Sequence, residues 1–418
     1  MSNPAADAAI GPLLVRSTPV DDPGELLALL PEADALAWVH GGDGIVGWGR
    51  AAEFQTSGAG RFIEASDWWH ELASHAVVRD DVDVPGSGLV AFGTFTFTDD
   101  ADGSALIVPE VVIGRRDGVA WVTVIGLGIS NAPTLTTSTP ADPTGTTFAD
   151  GPVDSVTWQS LVAEAVRRIE AGGLDKVVLA RDLVARLDAP LDVRSPLIRL
   201  AADYPSCWTF HVDGFLGSTP EMLVRLERGL VTSRVLAGTI RRTGDDAHDL
   251  ALAGSLARSS KDLEEHEYAV RSVADALAPH CTSMNVPETP FVLHLPNVMH
   301  LATDVTGVMR DDASALTLAA SLHPSAAVGG TPTAAAVRLI AEIELLDRGR
   351  YAGPVGWIGA SGDGEWGIGL RAAQVEGDGS TVRLFAGCGI VADSVPADEL
   401  AESNAKLIPV RDALTPRD

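Results

Sequence analysis

The chain of 418 residues is short of positive charge, and of lysine above all. Thirty residues are basic against 57 acidic, for a formal net charge of −27. Such a surface repels nucleic acid and anionic membranes, which excludes both as partners. Only three of the 30 basic residues are lysine: Lys176, Lys261 and Lys406. Cysteine is as scarce, with Cys207, Cys281 and Cys388 in no metal-knuckle spacing. That excludes a disulfide framework and suits a reducing cytosol, so a cytoplasmic location is expected. No apolar run reaches membrane-spanning length. Residues 1–7 have neither a basic nor an apolar stretch, so no signal peptide is expected.

Hydrophobic residues make up 46% of the chain, enough to bury a sizeable core. The length exceeds what one core normally covers and predicts one elaborate domain or two. Where arginine carries nearly all the positive charge, a retained lysine is informative. Arginine stays protonated, whereas an amine can act as a base once its pKa is lowered. Lys176 opens the apolar run Val177–Ala180. Taken alone, it is equally well a lysine that blunts a strand edge.

Residues 1–22 read as a loose polar lead-in. Ala35–His40 and Ile45–Arg50 flank Gly41-Gly42-Asp43-Gly44, a hairpin signal. Ser66–Val78 reads as a helix, and Gly88–Thr98, Ala105–Ile113 and Ala120–Ile125 as strands. Asn131–Pro152 is rich in Pro, Thr, Ser, Asp and Gly and reads as a linker or a long surface loop. Helices are expected at Thr157–Ala171, Pro196–Asp203, His248–Pro279, 313–321, 333–346 and Pro396–Leu414. Later strands are expected at Cys207–Val212, Val231–Leu236, Phe291–Leu295, His300–Val308, Gly353–Ile358, Glu365–Gln374 and Val382–Phe385. Gly387-Cys388-Gly389 is expected to interrupt the last of them.

Several residues in this second part carry chemistry. Glu221 stands between a proline turn and an apolar strand, where glutamate is disfavoured without a reason. It is either an exposed strand start or an acid at a cleft edge. Ala237-Gly238-Thr239 ends a strand with residues small enough for a ligand to reach the backbone. Two helices each offer carboxylates three residues apart, Asp262 with Glu265 and Glu399 with Glu402. A single such pair is usually a solvated face. Hard oxygen ligands without His or Cys suit Mg²⁺, which would let so acidic a protein hold an anion.

Nine stretches, in order, resemble the chorismate-utilising enzymes over roughly residues 155–415. They are Lys176–Arg181, Ser218–Glu221, Leu236–Thr239, Lys261–His266, Asn297–Leu301, His323–Pro332, Tyr351–Trp357, Ile368–Arg371 and Ala386–Val391 with its acidic helix. The resemblance implies one large α+β fold of two packed antiparallel β-sheets with helices outside. Residues 1–150 would be a divergent strand-rich part of that fold, and 151–418 the catalytic region.

Single positions then separate the family's branches. Ala237 stands where aminodeoxychorismate synthases carry a nucleophilic lysine. Ala327 stands where anthranilate and salicylate synthases carry threonine and isochorismate synthases a small apolar residue. The regulatory motif of tryptophan-inhibited relatives is absent from the first third. The chain therefore resembles an isochorismate synthase, and the resemblance implies Mg²⁺-dependent addition of water at C2 of chorismate with loss of the C4 hydroxyl. Lys176 would be the general base and Glu221 the general acid, the lysine's pKa lowered and the acid's raised. Glu265 and Glu399, with Asp262 and Glu402, would hold Mg²⁺. Arg371, Lys406, Thr239 and the backbone at Gly238, Gly387 and Gly389 would bind the substrate, with His300 and Ala327 near its ring. His266 and His323 are expected to be structural. Val235 and Val328-Gly329-Gly330 depart from the usual pattern without removing a reacting group. The protein is expected to be a monomer whose product feeds menaquinone or siderophore synthesis. The alternatives are salicylate synthase, which goes on to eliminate pyruvate, and a non-catalytic chorismate-binding protein.

Overall fold

A computed structural model describes residues 11–128 and 131–416, the side chains of Lys261 and Glu265 falling outside the description. Two large sheets face each other, one of 13 strands and one of 10 among the described residues. The first runs from Thr147–Asp150 through Lys176–Arg186, Thr381–Ile390, Ala372–Glu376, Phe215–Thr219 and Trp208–Val212 to the hairpin Leu36–His40 and Asp43–Trp48. It continues through Val111–Arg116, Val119–Gly126 and Leu14–Val20 to Val77–Asp80. The second runs from Cys281–Asn285 through Val298–Met309, Leu230–Arg241, Met222–Glu227, Gly364–Ile368 and Pro354–Gly359 to Val90–Thr94, Ser104–Val108 and Ala52–Thr56. Strands from residues 1–150 thus enter both sheets. Among the described residues every pairing is antiparallel except Leu14–Val20 with Val77–Asp80.

The main core lies between the sheets, because alternate side chains of each strand point inward. Trp38, Phe210 and Phe215 from the first sheet share it with Phe92, Val224 and Trp366 from the second. Burying each of these contributes about 1.5–3 kcal/mol. The approach is close: a Cβ on Gly367 would lie 2.9 Å from Trp38 Cη2. Helices cover the outside. In Ser155–Glu170 the buried residues Trp158, Val162, Ala165 and Ile169 recur at helical spacing, and Asp154 caps the Thr157 N–H. The terminal helix Pro396–Ala413 lays Leu407 and Val410 on Val382, Leu384 and Ala386 of the first sheet. No helix among the described residues is long and apolar enough to cross a membrane.

Tertiary pairing overrides several local expectations. Residues 14–20 form a strand, not a lead-in, because Val119–Gly126 supplies a full antiparallel partner. The first helix spans Arg61–His75, and Val77–Asp80 is a strand. Asn131–Pro152 ends in the strand Thr147–Asp150. Ala105–Ile113 is two strands in different sheets, Ser104–Val108 and Val111–Arg116, parted at Pro109-Glu110. Proline has no N–H to donate to a ladder there. His248–Pro279 is two helices, Asp246–Leu256 and Ser260–Leu277, the second capped by Ser259. Glu365–Gln374 is also two strands, Gly364–Ile368 and Ala372–Glu376, one in each sheet. Gly387-Cys388-Gly389 does not interrupt its strand, which runs unbroken from Thr381 to Ile390 against Lys176–Arg186.

Candidate active site

The site forms where the chain crosses between the sheets. Phe215–Thr219 belongs to the first sheet and Met222–Glu227 to the second, so Pro220-Glu221 is a crossing. Gly369–Arg371 is the return crossing. The two are bonded together: the Ile368 N–H donates to the Glu221 carbonyl at 3.1 Å, and the Ser218 N–H to the Arg371 carbonyl at 3.2 Å. Arg371 sits at φ 49°, a left-handed conformation that costs about 1–3 kcal/mol in a non-glycine residue.

Three further segments close a cavity of about 280 Å³. Lys176 starts its strand beside Gly389, where a Cβ would lie 2.6 Å from Lys176 Cε. The missing side chain is the room the lysine occupies. Gly238, at φ 74°, bulges the strand Leu230–Arg241 against Val298–Met309, shifting the register between Ala237 and Thr239. Thr239 Oγ1 and His300 Nδ1 are then 3.0 Å apart. The terminal helix brings Glu399, Glu402 and Lys406.

All the candidate residues whose side chains are described line this one cavity: Lys176, Glu221, Gly238, Thr239, Asp262, His300, Ala327, Arg371, Gly387, Gly389, Glu399, Glu402 and Lys406. Glu265 lies on the helix Ser260–Leu277, but its side chain is outside the description. His323 and His266 lie elsewhere. His323 Nε2 is 2.9 Å from the Phe97 carbonyl, and His266 Nε2 is 2.7 Å from Thr303 Oγ1.

Burial sets the charge states. Glu221 is 6% exposed, and desolvation pushes its pKa up to about 8 despite the pull of Lys176, Arg371 and Lys406. It carries a proton at neutral pH. Desolvation, aided by Arg371 and Lys406, pushes His300 down to about 3 and keeps it neutral. His300 Nε2 is buried and meets no hydrogen-bond partner within the protein. Burial raises Glu402, but Lys406, Arg371 and Lys176 outweigh it, and its carboxyl ends below the ordinary range.

Carboxylate oxygens of Glu399 and Glu402 and the Cys388 sulfur lie within 4.8 Å of one another. Burial pushes the Cys388 thiol up, and it donates to the Glu399 carbonyl at 3.3 Å. A thiol held protonated leaves the oxygens as donors, and Asp262 lines the same cavity. Such a set can hold a hard divalent cation.

A family model described as chorismate binding enzyme matches residues 38–415. The chain belongs to the chorismate binding enzyme family. Within that family it is 32% identical to isochorismate synthase MenF of Bacillus subtilis (strain 168), over 88% of this chain and 85% of that protein. It is 31% identical to the salicylate biosynthesis isochorismate synthase of Pseudomonas aeruginosa, over 98% and 92%. The solved MenF, the menaquinone-specific isochorismate synthase from Escherichia coli, superposes with a TM-score of 0.82 at 26% identity, covering 97% of this chain and 96% of that one.

Sequence reasoning gave no role to three residues of this cavity in a chorismate binding enzyme. Ser394 Oγ donates to Glu399 Oε1 at 2.7 Å and accepts from the Val391 N–H, so it orients that carboxylate. Tyr351 stacks on Phe385 with ring centroids 5.2 Å apart, and burial pushes its hydroxyl up to about 12. Arg348 is buried in the wall. Both Tyr351 and Arg348 belong to or adjoin the stretch Tyr351–Trp357, the one signal that could have found them.

Proposed function

We propose that the chain is an isochorismate synthase, an isomerase that interconverts chorismate and isochorismate. The observation that carries this reading is the burial of Glu221, 6% exposed in a cavity shared with Lys176, which pushes its carboxyl up to about 8. A neutral carboxylic acid there can protonate a departing hydroxyl, and the amine opposite can activate water. The named relatives support the same reaction.

Water adds at C2 of chorismate while Lys176 takes its proton. The ring double bonds shift, the C4–oxygen bond breaks, and Glu221 gives its proton to the leaving hydroxyl, which departs as water. One water enters and one leaves, so the product is an isomer. Arg371, Lys406 and the backbone N–H groups of the glycine segments bind the two substrate carboxylates. Mg²⁺, held by Glu399 and Glu402 with Asp262 and Glu265, would neutralise the ring carboxylate when bound. Neutral His300, braced by Thr239, offers Nε2 to the ring substituents. The small Ala327 leaves the ring face without a hydroxyl. The working unit in this proposal is a monomer in the cytoplasm.

The test is to incubate the purified protein with chorismate, with and without Mg²⁺, and identify products by chromatography and NMR. A Mg²⁺-dependent mixture of chorismate and isochorismate without pyruvate is expected. Salicylate with pyruvate would move the chain to the lyase branch. Chorismate bound but unchanged would mark a binding protein.

A further inference from the structure

Arg348 in the cavity wall belongs to a buried ion pair, with Glu344 behind it, that makes none of the bonds assigned above. The side chains of Arg348 and Glu344 are 3% and 2% exposed. Arg348 Nε donates to Glu344 Oε1 at 2.6 Å and Nη2 to Oε2 at 2.8 Å. The same guanidinium reaches two backbone segments: Nη1 donates to the Val328 carbonyl at 3.0 Å, and Nη2 to the Val178 carbonyl at 2.7 Å. Glu344 Oε2 also accepts the Ala180 N–H at 2.7 Å. The Arg348 carbonyl accepts the Tyr351 N–H at 2.9 Å, and its guanidinium lies over the Phe97 ring at 4.1 Å.

The two carbonyl bonds of Arg348 end next to residues of the site. Val328 follows Ala327, and Val178 is two residues beyond Lys176. The loop and the lysine strand are otherwise joined by a short ladder, which begins where the Asp175 N–H donates to the Thr331 carbonyl at 2.8 Å. Their ladder is Lys176 with Thr331 and Val177 with Gly330, extended by the Val178 N–H to the Gly329 carbonyl at 2.9 Å. Ala327 lies past the end of that ladder.

Stability alone is a weak reason for such a pair. Two buried charges lose hydration, and an apolar pair of similar volume often serves as well or better. What an apolar pair cannot do is hold two carbonyls from separate segments at fixed angles. A planar guanidinium fork can, and lysine, with one point charge, cannot reproduce it.

We propose that Glu344 and Arg348 form a positioning device that sets the Ala327–Val328 loop against the Lys176 strand, and thereby the fit of the substrate ring between them. This rests on the isochorismate synthase reading. Arg348 acts through the backbone of its neighbours and is a positioning residue, not a reacting one.

The test compares Arg348→Lys and Glu344→Gln with the wild type, using steady-state kinetics per folded protein and amide hydrogen exchange. In folded Arg348→Lys, KM for chorismate should rise at least about tenfold, because a shift of the loop against the lysine strand misplaces the groups that hold the ring. Exchange should quicken over residues 326–331 and stay unchanged in the distant strands Val111–Arg116 and Val119–Gly126. Kinetic constants within threefold of wild type, with unchanged exchange at 326–331, would overturn the proposal. If Arg348→Lys does not fold, Glu344→Gln, which keeps an acceptor for the Ala180 N–H, is judged on the same two readouts. If neither folds, the pair serves folding and the proposal fails. Exchange needs no turnover, so it still decides the matter if the wild type makes no isochorismate and the functional reading falls.

Discussion

Lys406 Nζ lies 2.7 Å from Glu402 Oε1 and donates to the Gly387 carbonyl at 2.9 Å. One side chain thus ties the terminal helix to the strand that faces Lys176. Burial works to discharge the ammonium, but Glu402 outweighs it and raises the pKa. Lys406 is therefore a fixed cation in the cavity wall.

Replacing that cation separates two kinds of binding. Lys406→Met removes a positive charge from the anion's side and leaves Glu402 more available to a metal. KM for chorismate should rise at least about tenfold, as loss of a charge-assisted bond implies. The Mg²⁺ concentration for half-saturation should not rise. Steady-state titrations of both ligands check this, and a weaker Mg²⁺ response would contradict it.

Glu221 should impose a basic limit on activity. Its protonated form is the acid, so kcat/KM should fall as pH rises through about 8. Glu221→Gln should abolish turnover while chorismate still binds, and so should Lys176→Ala. Stability gives an independent readout. The folded pKa is raised above the unfolded value of 4.5, so folding takes up a proton between those pH values. The native state loses stability as pH rises from about 4.5 to about 8 and no further beyond. Glu221→Gln removes this penalty, about 3 kcal/mol at pH 7. Thermal melts at pH 5 and pH 8 should show the variant gaining on the wild type at the higher pH. An equal difference at both would sink the assignment.

Gly389→Ala should disable the enzyme without unfolding it. Gly389 does not adopt a left-handed backbone, and the added methyl meets Lys176 Cε at 2.6 Å, the far part of a flexible side chain. The lysine must move. A fall in kcat of at least about a hundredfold, with little change in melting temperature, is expected when a reacting amine is displaced by an ångström. Near-normal kcat would show that the amine's position in this strand does not matter.

Glu399→Gln should weaken metal binding directly. Calorimetric titration of the protein with Mg²⁺, without substrate, reads this apart from activity. Ser394→Ala should do the same more weakly, since it removes only the hydrogen bond that orients the Glu399 carboxylate. Unchanged Mg²⁺ affinity in Glu399→Gln would exclude that residue as a ligand.

Parts of the fold were legible in the sequence because their information is local. Buried residues at helical spacing from Trp158 to Ile169 mark a helix on their own. The glycines before Asp43 mark the hairpin, with Gly41 and Gly42 both at positive φ. Other parts were illegible for an equally physical reason. Glu365–Gln374 reads as one apolar strand because both halves are buried, yet a change of sheet at Gly369–Arg371 divides it. Arg348 is one arginine among 27, and the stretch Tyr351–Trp357 beside it could place it near the site but could not announce two carbonyls 20 and 170 residues away.

The candidate site divides along the same line. The sequence by itself determined which groups are present: a rare lysine, a misplaced glutamate, paired acids three apart and small residues at strand ends. These are matters of residue type and spacing. Only the tertiary structure decided that Glu221 holds its proton, that Lys406 keeps its charge, and that Gly389 leaves room for Lys176. A charge state depends on desolvation and on charges brought close by folding. It is a sum over residues far apart in the chain, and no short stretch contains it.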